Sequence, residues 1–354
     1  MSPRHPSRPR LAALGAGALS LALLGCGSTT PAGSPGGGAT SSAAGTVTVT
    51  NCGVEQTFPS PARRLLVNDG NLIALTLAVG AGEQVAAVSS LQDDADVLTR
   101  AYGDVVGGLR QVAPEYPALE TVVAARPDVV VAGWNYGFSE STDVTPQTLA
   151  DRGIGAYVLS ESCRRPDGAR GTMDPWQAVR TDLTNLGAIT GHADTAAAVV
   201  ADTDARLAAL AAAPRPEREP VVFVFDSGTD AVFSSGGFGG PQAIIDAAGG
   251  RNALADLRDT WTEVSWERLA TARPDLVVFV DYPGQTLAQK EQVLAEHPAS
   301  RDLPAVREQR YLHLPYAMWT SGPLNVDAAE HLRQGLERYG LAPASGIRPR
   351  LDLG

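Results

Sequence analysis

Lysine, cysteine and histidine are scarce in this chain of 354 residues. A single lysine, Lys290, leaves arginine to carry nearly all of the positive charge, and it excludes Schiff-base chemistry at any other position. No G-x-x-x-x-G-K motif is present, which excludes a P-loop. Three cysteines are too few for a disulfide-rich scaffold or a four-cysteine zinc site. The formal net charge of −11 argues against nucleic-acid binding, because phosphate backbones repel an acidic protein.

The first 25 residues have the pattern of an export signal. Arginines precede an apolar run, Leu11–Leu24, that is too short to span a bilayer as a mature helix. The run ends in Gly25-Cys26, and this ending resembles the lipobox of bacterial lipoproteins, in which the signal is cut before the cysteine and the cysteine carries lipid. The alternative is an ordinary secretory signal with an incidental cysteine.

We therefore predict a signal peptide at residues 1–25 and a flexible tether at residues 26–46, which is rich in glycine, serine and threonine. A lipid on Cys26 would hold the mature chain at the extracytoplasmic face of the cell membrane. Disulfides persist in that compartment, so we expect the remaining cysteines, Cys52 and Cys163, to form one. Two free thiols are the alternative.

One segment of the chain occurs twice in similar form. The residues from Glu120 to Val131 match those from Glu267 to Val278, with Glu, Arg-Pro-Asp and a following β-branched run at the same offsets. Proline cannot continue a helix, and a valine-rich run between turns is typical of a buried parallel strand. The repeat therefore predicts two similar α/β lobes, with coincidence on a common helix–turn–strand pattern as the alternative.

Apolar runs before polar loops predict further strands, and intervening amphipathic segments predict helices. The predicted strands are Arg64–Asn68, Gln84–Val88, Val129–Val131, Ala156–Ser160, Val221–Phe225 and Tyr311–Leu314. The predicted helices are Asn71–Val79, Pro146–Arg152, Pro241–Ala248, Leu287–Ala295 and Leu324–Tyr339.

A long alanine-rich segment separates the two sets of elements. Asp174-Pro175 is a good helix start, and the piece from Ala193 to Ala213 alone would span about 30 Å at 1.5 Å per residue. We expect an α/β fold with two Rossmann-like lobes of mostly parallel sheet joined by one long rigid helix. The predicted boundaries are 47–173 for the first lobe, 174–213 for the connecting helical strut and 214–354 for the second lobe.

These features resemble the helical-backbone, class III substrate-binding lipoproteins of ABC importers for ferric siderophores and cobalamin. The motifs that carry the resemblance are Asn51-Cys52-Gly53, Gly133–Phe138, Glu161-Ser162-Cys163, Ala248–Asn252, Trp261–Glu267, Leu314-Pro315-Tyr316 and Asn325-Val326. The resemblance implies a monomer without enzyme activity or cofactor, which captures an iron complex between its lobes and delivers it to a permease dimer. Related proteins carry cobalamin, haem or deazaflavin precursors, so these ligands are alternatives.

In this family an acidic residue on each lobe docks onto arginines of the permease. Glu120 and Glu267 occupy the matching positions here, once in each copy of the repeat. A pseudo-twofold receptor would present equivalent charges to a dimeric permease. The alternative is two ordinary glutamates that each stabilise a helix start.

Open α/β sheets bind ligands at the carboxyl ends of their strands, so residues after strands are ligand candidates. Aromatic rings on loops form flat adaptable walls, and arginines meet anions. The predicted ligand-binding residues are Trp134, Asn135, Tyr136, Phe138, Arg164, Arg165, Phe238, Trp261, Tyr282, Tyr316 and Trp319. Packing of the aromatic rings and solvation of the arginines are the alternatives.

The number and positions of the histidines argue against a bare metal ion bound directly by protein side chains. The histidines are His5, His192, His297, His313 and His331. Cleavage of the signal leaves none in the first lobe, whereas receptors for zinc and manganese use ligands from both lobes. Asp69, Asp93 and Asp94 remain candidates for contact with a metal complex.

An enzyme is disfavoured because no G-x-S-x-G or H-E-x-x-H motif is present. A structural lipoprotein of the cell wall is a third possible class of protein, besides a receptor and an enzyme.

Overall fold

The computed structural model describes residues 45–91, 94–282 and 284–353. The predicted signal peptide, Cys26, Asp93 and the tether up to residue 44 lie outside the described residues. The first strand, β1 (Gly45–Asn51), takes in the last two residues assigned to the tether.

A hairpin opens the described chain, and the sequence patterns did not predict it. β1 pairs antiparallel with β2 (Val54–Ser60) through a two-residue turn in which Cys52 has φ 50° and Gly53 has φ 77°. Two positive φ values in succession match the twist of the flanking strands. Cys52 is disulfide-bonded to Cys163 with a Cα–Cα distance of 5.2 Å, which confirms the predicted pair. The bond fixes the hairpin to the loop around Glu161.

The first lobe contains a sheet of parallel strands in the order β5-β4-β3-β6, with β7 and β8 both paired to β6. Its strands are β3 (Leu65–Asn68), β4 (Val85–Ser89), β5 (Gln111–Ala113), β6 (Val129–Trp134), β7 (Gly137–Phe138) and β8 (Gly155–Val158). Its helices are α1 (Gly70–Ala78), α2 (Ala95–Tyr102), α3 (Leu119–Ala125) and α4 (Pro146–Ala150). Short 3₁₀ helices lie at Gly82–Gln84, Gly103–Gly108, Glu140–Thr142 and Ser160–Ser162.

The connection between the lobes is helical, as predicted, but it consists of two helices. α5 (Pro175–Thr190) begins with Asp174, whose carboxylate accepts a hydrogen bond from Gln177 N at 3.1 Å. It ends at Gly191 (φ 80°), and α6 (Ala193–Ala212) follows. The prediction of one long helix is wrong in this respect, because the left-handed Gly191 reverses the chain and lets the two helices pack together.

The second lobe contains a parallel sheet in the order β12-β9-β14-β15 and an antiparallel sheet in the order β10-β11-β13. Its strands are β9 (Val221–Phe225), β10 (Ser227–Gly228), β11 (Val232–Ser235), β12 (Arg251–Asn252), β13 (Trp261–Val264), β14 (Leu276–Asp281) and β15 (Tyr311–Pro315). Its helices are α7 (Gly240–Ala248), α8 (Trp266–Ala272), α9 (Leu287–Glu296), α10 (Pro304–Arg307), α11 (Tyr316–Trp319) and α12 (Asn325–Arg338).

The central strands are buried on both faces, which explains their unbroken apolar sequences. In β9, Val222 and Val224 enter a core that runs through both lobes, whereas Phe223 and Phe225 enter a separate core of the second lobe. The first lobe repeats this alternation at β3, with Leu66 in its own separate core. Parallel sheets covered by helices on both sides have this pattern.

The two copies of the internal repeat have the same local structure. α3 and α8 both end at an arginine in the left-handed region, Arg126 with φ 49° and Arg273 with φ 47°. The aspartate after the proline then accepts main-chain hydrogen bonds from the neighbouring strand: Asp128 from Arg64 N at 2.9 Å, and Asp275 from Val221 N at 2.7 Å. The prediction of two similar α/β lobes is confirmed by this shared helix–turn–strand structure of the two repeat copies.

A buried ionic cluster fixes α6 to the second lobe. The Arg206 guanidinium donates to Glu330 at 2.7 and 2.9 Å and to Asp327 at 2.5 Å, and all three side chains are less than one-tenth exposed. Removal of one member of such a cluster leaves the others charged and desolvated.

None of the helices in the described part of the chain has the length and apolar content required to cross a bilayer.

Replacing Arg206 with methionine is expected to lower the free energy of unfolding by about 3–5 kcal/mol, because Asp327 and Glu330 would remain buried without a cation. Urea denaturation measures this change. Arg180→Met is the matched control: Arg180 pairs with Asp204 at 2.6 Å between α5 and α6, but both side chains are partly exposed. Its loss should stay within about 1 kcal/mol. Equal losses for the two variants would contradict the assignment.

Candidate ligand-binding cleft between the lobes

The carboxyl ends of the parallel strands of both lobes open onto a cleft of about 1320 Å³. Tyr116 follows β5 and Tyr136 follows β6, while Asp226, Tyr282 and Tyr316 follow β9, β14 and β15. We call this space the interlobe cleft. The residues that line it are Tyr116, Asn135, Tyr136, Arg170, Asp226–Ala231, Phe233, Trp261, Glu263, Tyr282, Gly284, Gln285, Gln289, Gln292, Val293, Glu296 and Tyr316.

Four tyrosines, two from each lobe, lie on the surface of the cleft. The rings of Tyr282 and Tyr316 have centroids 4.8 Å apart. Tyr116 donates its hydroxyl proton to Asp69 Oδ2 at 3.2 Å. Burial raises the pKa of each of the four phenols, Tyr136 included, above its ordinary value. The tyrosines are therefore neutral at physiological pH, and Tyr136, Tyr282 and Tyr316 can offer hydroxyl donors to a bound molecule, whereas the Tyr116 proton is already given to Asp69.

A tight turn after β6 presents Tyr136 to the cleft. Asn135 has φ 65°, and Tyr136 N donates to Gly133 O at 2.9 Å. Gly137 has φ 106°, and a Cβ there would lie 2.8 Å from the Asn68 side chain, so the position requires glycine. Asn68 in turn donates to Tyr136 O at 2.9 Å. The turn is thus held from β3 as well as from its own strand.

The opposite wall comes from the antiparallel sheet of the second lobe. Trp261 on β13 and Phe233 on β11 stack with centroids 6.2 Å apart and an interplanar angle of 20°. Trp261 is 8% exposed, and its indole Nε1 has no hydrogen-bond partner within the described residues. The pair forms a flat apolar wall with one unsatisfied donor.

The structure brings together some of the predicted ligand-binding residues and not others. Asn135, Tyr136, Trp261, Tyr282 and Tyr316 all line the cleft, although they come from four separate segments of the chain. Their convergence follows from the position of each one at or near a strand end. Ligand contact by these residues stays a prediction.

Other predicted aromatic residues do not line the cleft. Phe138 and Trp319 are completely buried, because Phe138 pairs with β6 as part of β7 and Trp319 belongs to α11, whose four residues are all buried. Trp134 packs edge-on against Phe138 at 6.2 Å. Phe238 lies against Gly171, where a Cβ would come within 2.6 Å of its ring. These four are packing residues in this conformation.

The two predicted arginines lie beside the cleft rather than on its surface. The Arg164 guanidinium lies 4.9 Å from the Trp134 ring centroid and donates to Asn135 Oδ1 at 3.2 Å. Arg165 donates to Gly171 O at 3.4 Å. Arg170, which the sequence reasoning did not select, is the arginine that lines the cleft.

Sequence reasoning also missed Tyr116, Phe233 and Glu263. Tyr116 follows the short strand β5, which was not predicted, and the other two belong to the antiparallel sheet, which was not predicted either. The rule that ligands lie beyond strand ends would have found Tyr116 once β5 was known. Within the described ranges, no three histidine, cysteine, aspartate or glutamate side chains converge as a metal site.

Polar contacts join the two lobes at the base of the cleft. Asn71 donates to Ser321 O at 2.8 Å, and Asp94 Oδ1 accepts from Ala317 N at 2.9 Å. Glu161 of the first lobe accepts hydrogen bonds from the main-chain amides of Ser321 and Gly240 in the second. Glu161 is only 6% exposed, and burial raises its pKa from an ordinary 4.5 to about 7.

These observations define a class: a two-lobed α/β protein with a large aromatic cleft at the facing strand ends. Residues 72–317 match the family model described as periplasmic binding protein, and the chain belongs to this family. Its resemblance to the class III siderophore and cobalamin branch is confirmed. Family members are extracytoplasmic binding proteins of ABC importers.

Individual relatives are distant in sequence. The vitamin B12-binding protein of Yersinia pseudotuberculosis is 25% identical over 229 residues, which cover 63% of this chain and 71% of that protein. A periplasmic binding protein from Veillonella parvula aligns with a TM-score of 0.70 at 20% identity, covering 83% of this chain and 98% of that one. A protein of the ABC-type Fe3+-hydroxamate transport system of Saccharomonospora viridis gives a TM-score of 0.65 at 23% identity, covering 82% and 98%. At such identities the structural likeness establishes the fold alone.

Glu161→Gln is expected to alter the pH dependence of stability. The folded protein keeps the Glu161 proton up to about pH 7, whereas the unfolded chain releases it near its ordinary pKa of 4.5. The stabilisation by this proton is therefore complete below pH 4.5 and is lost as the pH rises through 7. Glutamine cannot ionise, so at pH 8 the variant should exceed the wild type in unfolding free energy by up to about 3 kcal/mol.

The measurement is urea denaturation at pH 4.5 and pH 8. Glu55→Gln, an exposed change on β2, serves as the control and should leave the wild-type profile unaltered. A Glu161→Gln profile parallel to the wild type across this range would show that Glu161 is already ionised in the folded protein at low pH.

Proposed function

We propose that the protein is a substrate-binding lipoprotein that captures an iron complex, a ferric siderophore or a similar chelate, in the interlobe cleft and delivers it to an ABC importer permease. The observation that carries this proposal is the cleft itself, about 1320 Å³ in volume and walled by aromatic rings from both lobes. Pockets for small organic ligands usually occupy about 300–1000 Å³, so a larger metal–organic complex fits the space. The protein acts as a receptor and not as an enzyme.

Cobalamin is the second candidate cargo. The relative from Yersinia pseudotuberculosis that covers 63% of this chain is a vitamin B12-binding protein. A corrinoid is also a large metal complex with a wide flat face, which suits stacked aromatic walls such as Phe233 and Trp261. Haem and deazaflavin precursors are further alternatives with flat ring systems.

We also propose that Cys26 carries the lipid that anchors the chain to the outer face of the membrane, and that the receptor acts as a monomer. Support for the anchor comes from the order of basic residues, apolar run and cysteine in the sequence. A tethered monomer stays near its permease, which raises the effective concentration of loaded receptor there.

Docking to the permease is proposed for Glu120 and Glu267. Each is the second residue of a seven-residue helix, α3 or α8, and each is exposed. A hydrogen bond from Ser265 lowers the pKa of Glu267, which favours its charged form. Exposed carboxylates at equivalent sites on two similar lobes suit a partner with twofold symmetry.

A thermal-shift screen of ferric siderophores, corrinoids, haem and deazaflavins tests the proposed cargo, since a ligand that binds only the native state raises Tm. Tyr282→Ala should weaken binding of the active compound about tenfold or more, because it removes one ring of the Tyr282–Tyr316 pair. Tyr339→Ala is the control, as Tyr339 does not line the cleft. A screen in which no metal complex raises Tm would refute the proposal.

Charge reversal at both docking positions, Glu120→Arg with Glu267→Arg, is expected to abolish uptake of the cargo by whole cells while its Kd for purified receptor stays within about twofold of wild type. The same reversal at the exposed residues Glu55 and Glu217 is the matched control and should leave uptake intact. Normal uptake by the Glu120/Glu267 variant would rule out docking through these residues.

A further inference from the structure

The charged side chains that line the interlobe cleft are mostly acidic. Asp226, Asp230, Glu263 and Glu296 contribute four carboxylates from the second lobe, and Arg170 is the one cation among the lining residues that the structure describes. Asp226 is 5% exposed and burial raises its pKa, so the negative charge of the cleft comes mainly from the other three carboxylates, which are exposed. The excess of carboxylates gives the cleft a negative potential.

The charge of Arg170 is largely neutralised within the protein. Its guanidinium forms an ion pair with Asp259 at 3.1 Å and donates to Thr260 Oγ1 at 2.7 Å. These contacts use two of the five N–H donors of the guanidinium, and the carboxylate of Asp259 offsets its charge. The charge balance of the cleft thus remains negative with Arg170 included.

Neighbouring cations do not reverse this balance. Lys290, the only lysine, is fully buried and donates its Nζ proton to Val280 O at 2.6 Å. Burial raises the pKa of Asp226, and the charge of Lys290 lowers it in part and so offsets that one carboxylate. Arg164 is half-buried beside the Trp134 ring, and Arg165 is exposed and donates to a main-chain oxygen outside the cleft. These arginines are therefore solvated charges rather than anion ligands on the cleft surface.

The raised pKa values of the cleft tyrosines also reflect nearby negative charge. After burial, the influences that raise the pKa of Tyr282 are the carboxylates of Asp69, Asp226, Glu115 and Asp94. The largest influence after burial on Tyr316 is again Asp69. Burial raises the pKa of Asp69 itself to about 7, so only part of its negative charge reaches the base of the cleft at neutral pH.

The cleft also presents donors that need acceptors. Trp261 is nine-tenths buried, and its Nε1 proton has no acceptor within the described residues. Nε1 itself has almost no accessible surface, so the donors on the cleft surface are the neutral hydroxyls of Tyr136, Tyr282 and Tyr316. These hydroxyls favour carbonyl-type oxygens, which accept hydrogen bonds without adding negative charge.

Resting on the receptor function proposed above, we propose that the interlobe cleft selects metal complexes of zero or positive net charge that carry neutral oxygen acceptors. It disfavours polyanionic complexes such as ferric tris-catecholates and porphyrin dicarboxylates, because their charge would meet the exposed carboxylates of Asp230, Glu263 and Glu296. This inference reverses the expectation that arginines would receive an anionic ligand.

Two matched pairs of probes separate charge from shape. The first is ferrioxamine B, a ferric trihydroxamate with a protonated amine, and its N-succinyl derivative, which carries a carboxylate instead. The second is cyanocobalamin and its monocarboxylic acid. Titration calorimetry at low salt should give a Kd at least about tenfold lower for the less negative member of the pair that binds, and the ratio should shrink in 0.5 M salt.

The double variant Asp230→Asn/Glu263→Gln should reduce that ratio about threefold or more, since two lining carboxylates lose their charge. Glu217→Gln, an exposed change outside the cleft, is the control and should leave the ratio unchanged.

The outcomes distinguish this inference from the proposed function. Equal or tighter binding of the more negative member would overturn charge selection while leaving the receptor function in place. Binding of a ferric tris-catecholate or haem in preference to both pairs would do the same. Failure of every metal complex to bind would refute the receptor function and the charge selection together.

Discussion

The interlobe cleft depends on one constraint: strands buried on both faces can present polar and reactive side chains only at their ends. In β9, each residue from Val221 to Phe225 is buried, and the first polar side chains to line the cleft are those of Asp226 and Ser227, directly after the strand. β6 and β14 end in the same way, before Asn135 and Tyr282. Because the strands of each lobe are parallel, these ends lie together, and the facing ends of two sheets form the cleft.

The base of the cleft is a polar contact between lobes rather than an apolar one. Asn71, Asp94 and Glu161 of the first lobe all bind main-chain groups of the second, between Gly240 and Ser321. Hydrogen bonds of this kind fix orientation because they require matched geometry. Helices α5 and α6 pack against each other, and Arg206 ties α6 to α12, so the connection supports the contact from outside the cleft.

Much of the fold was readable from the sequence, because apolar runs and helix signals are local. β9 and α7 were predicted within one residue of their bounds, and the Arg-Pro-Asp repeat correctly indicated two similar lobes. The antiparallel sheet β10-β11-β13 was not predicted, since its strands are short and residues 236–260 separate β11 from its partner β13. Its absence from the prediction also removed Phe233 and Glu263 from the predicted site.

Some predicted ligand-binding residues do not line the cleft, because the direction in which a side chain points depends on how its segment pairs with a neighbouring strand. Tyr136 and Phe138 are two residues apart in one aromatic loop, yet Tyr136 lines the cleft and Phe138 is buried, because Gly137 and Phe138 pair with β6. Trp319 follows Tyr316 by three residues, and only Tyr316 lines the cleft. An aromatic-rich loop therefore predicts where a wall lies but not which rings form it.

The same topology places the two glutamates proposed for docking on the side of the molecule where the cleft opens. In a β-α-β unit the helix runs antiparallel to its strands, so α3, between β5 and β6, begins at the edge where those strands end. Glu120 in its first turn thus lies on the cleft side of the first lobe, and the repeat gives Glu267 the equivalent position on the second. A permease that binds both glutamates would therefore cover the mouth of the cleft. The carboxylates of Asp230 and Glu263 line the same cleft, so a permease docked at the two glutamates as proposed would also face them.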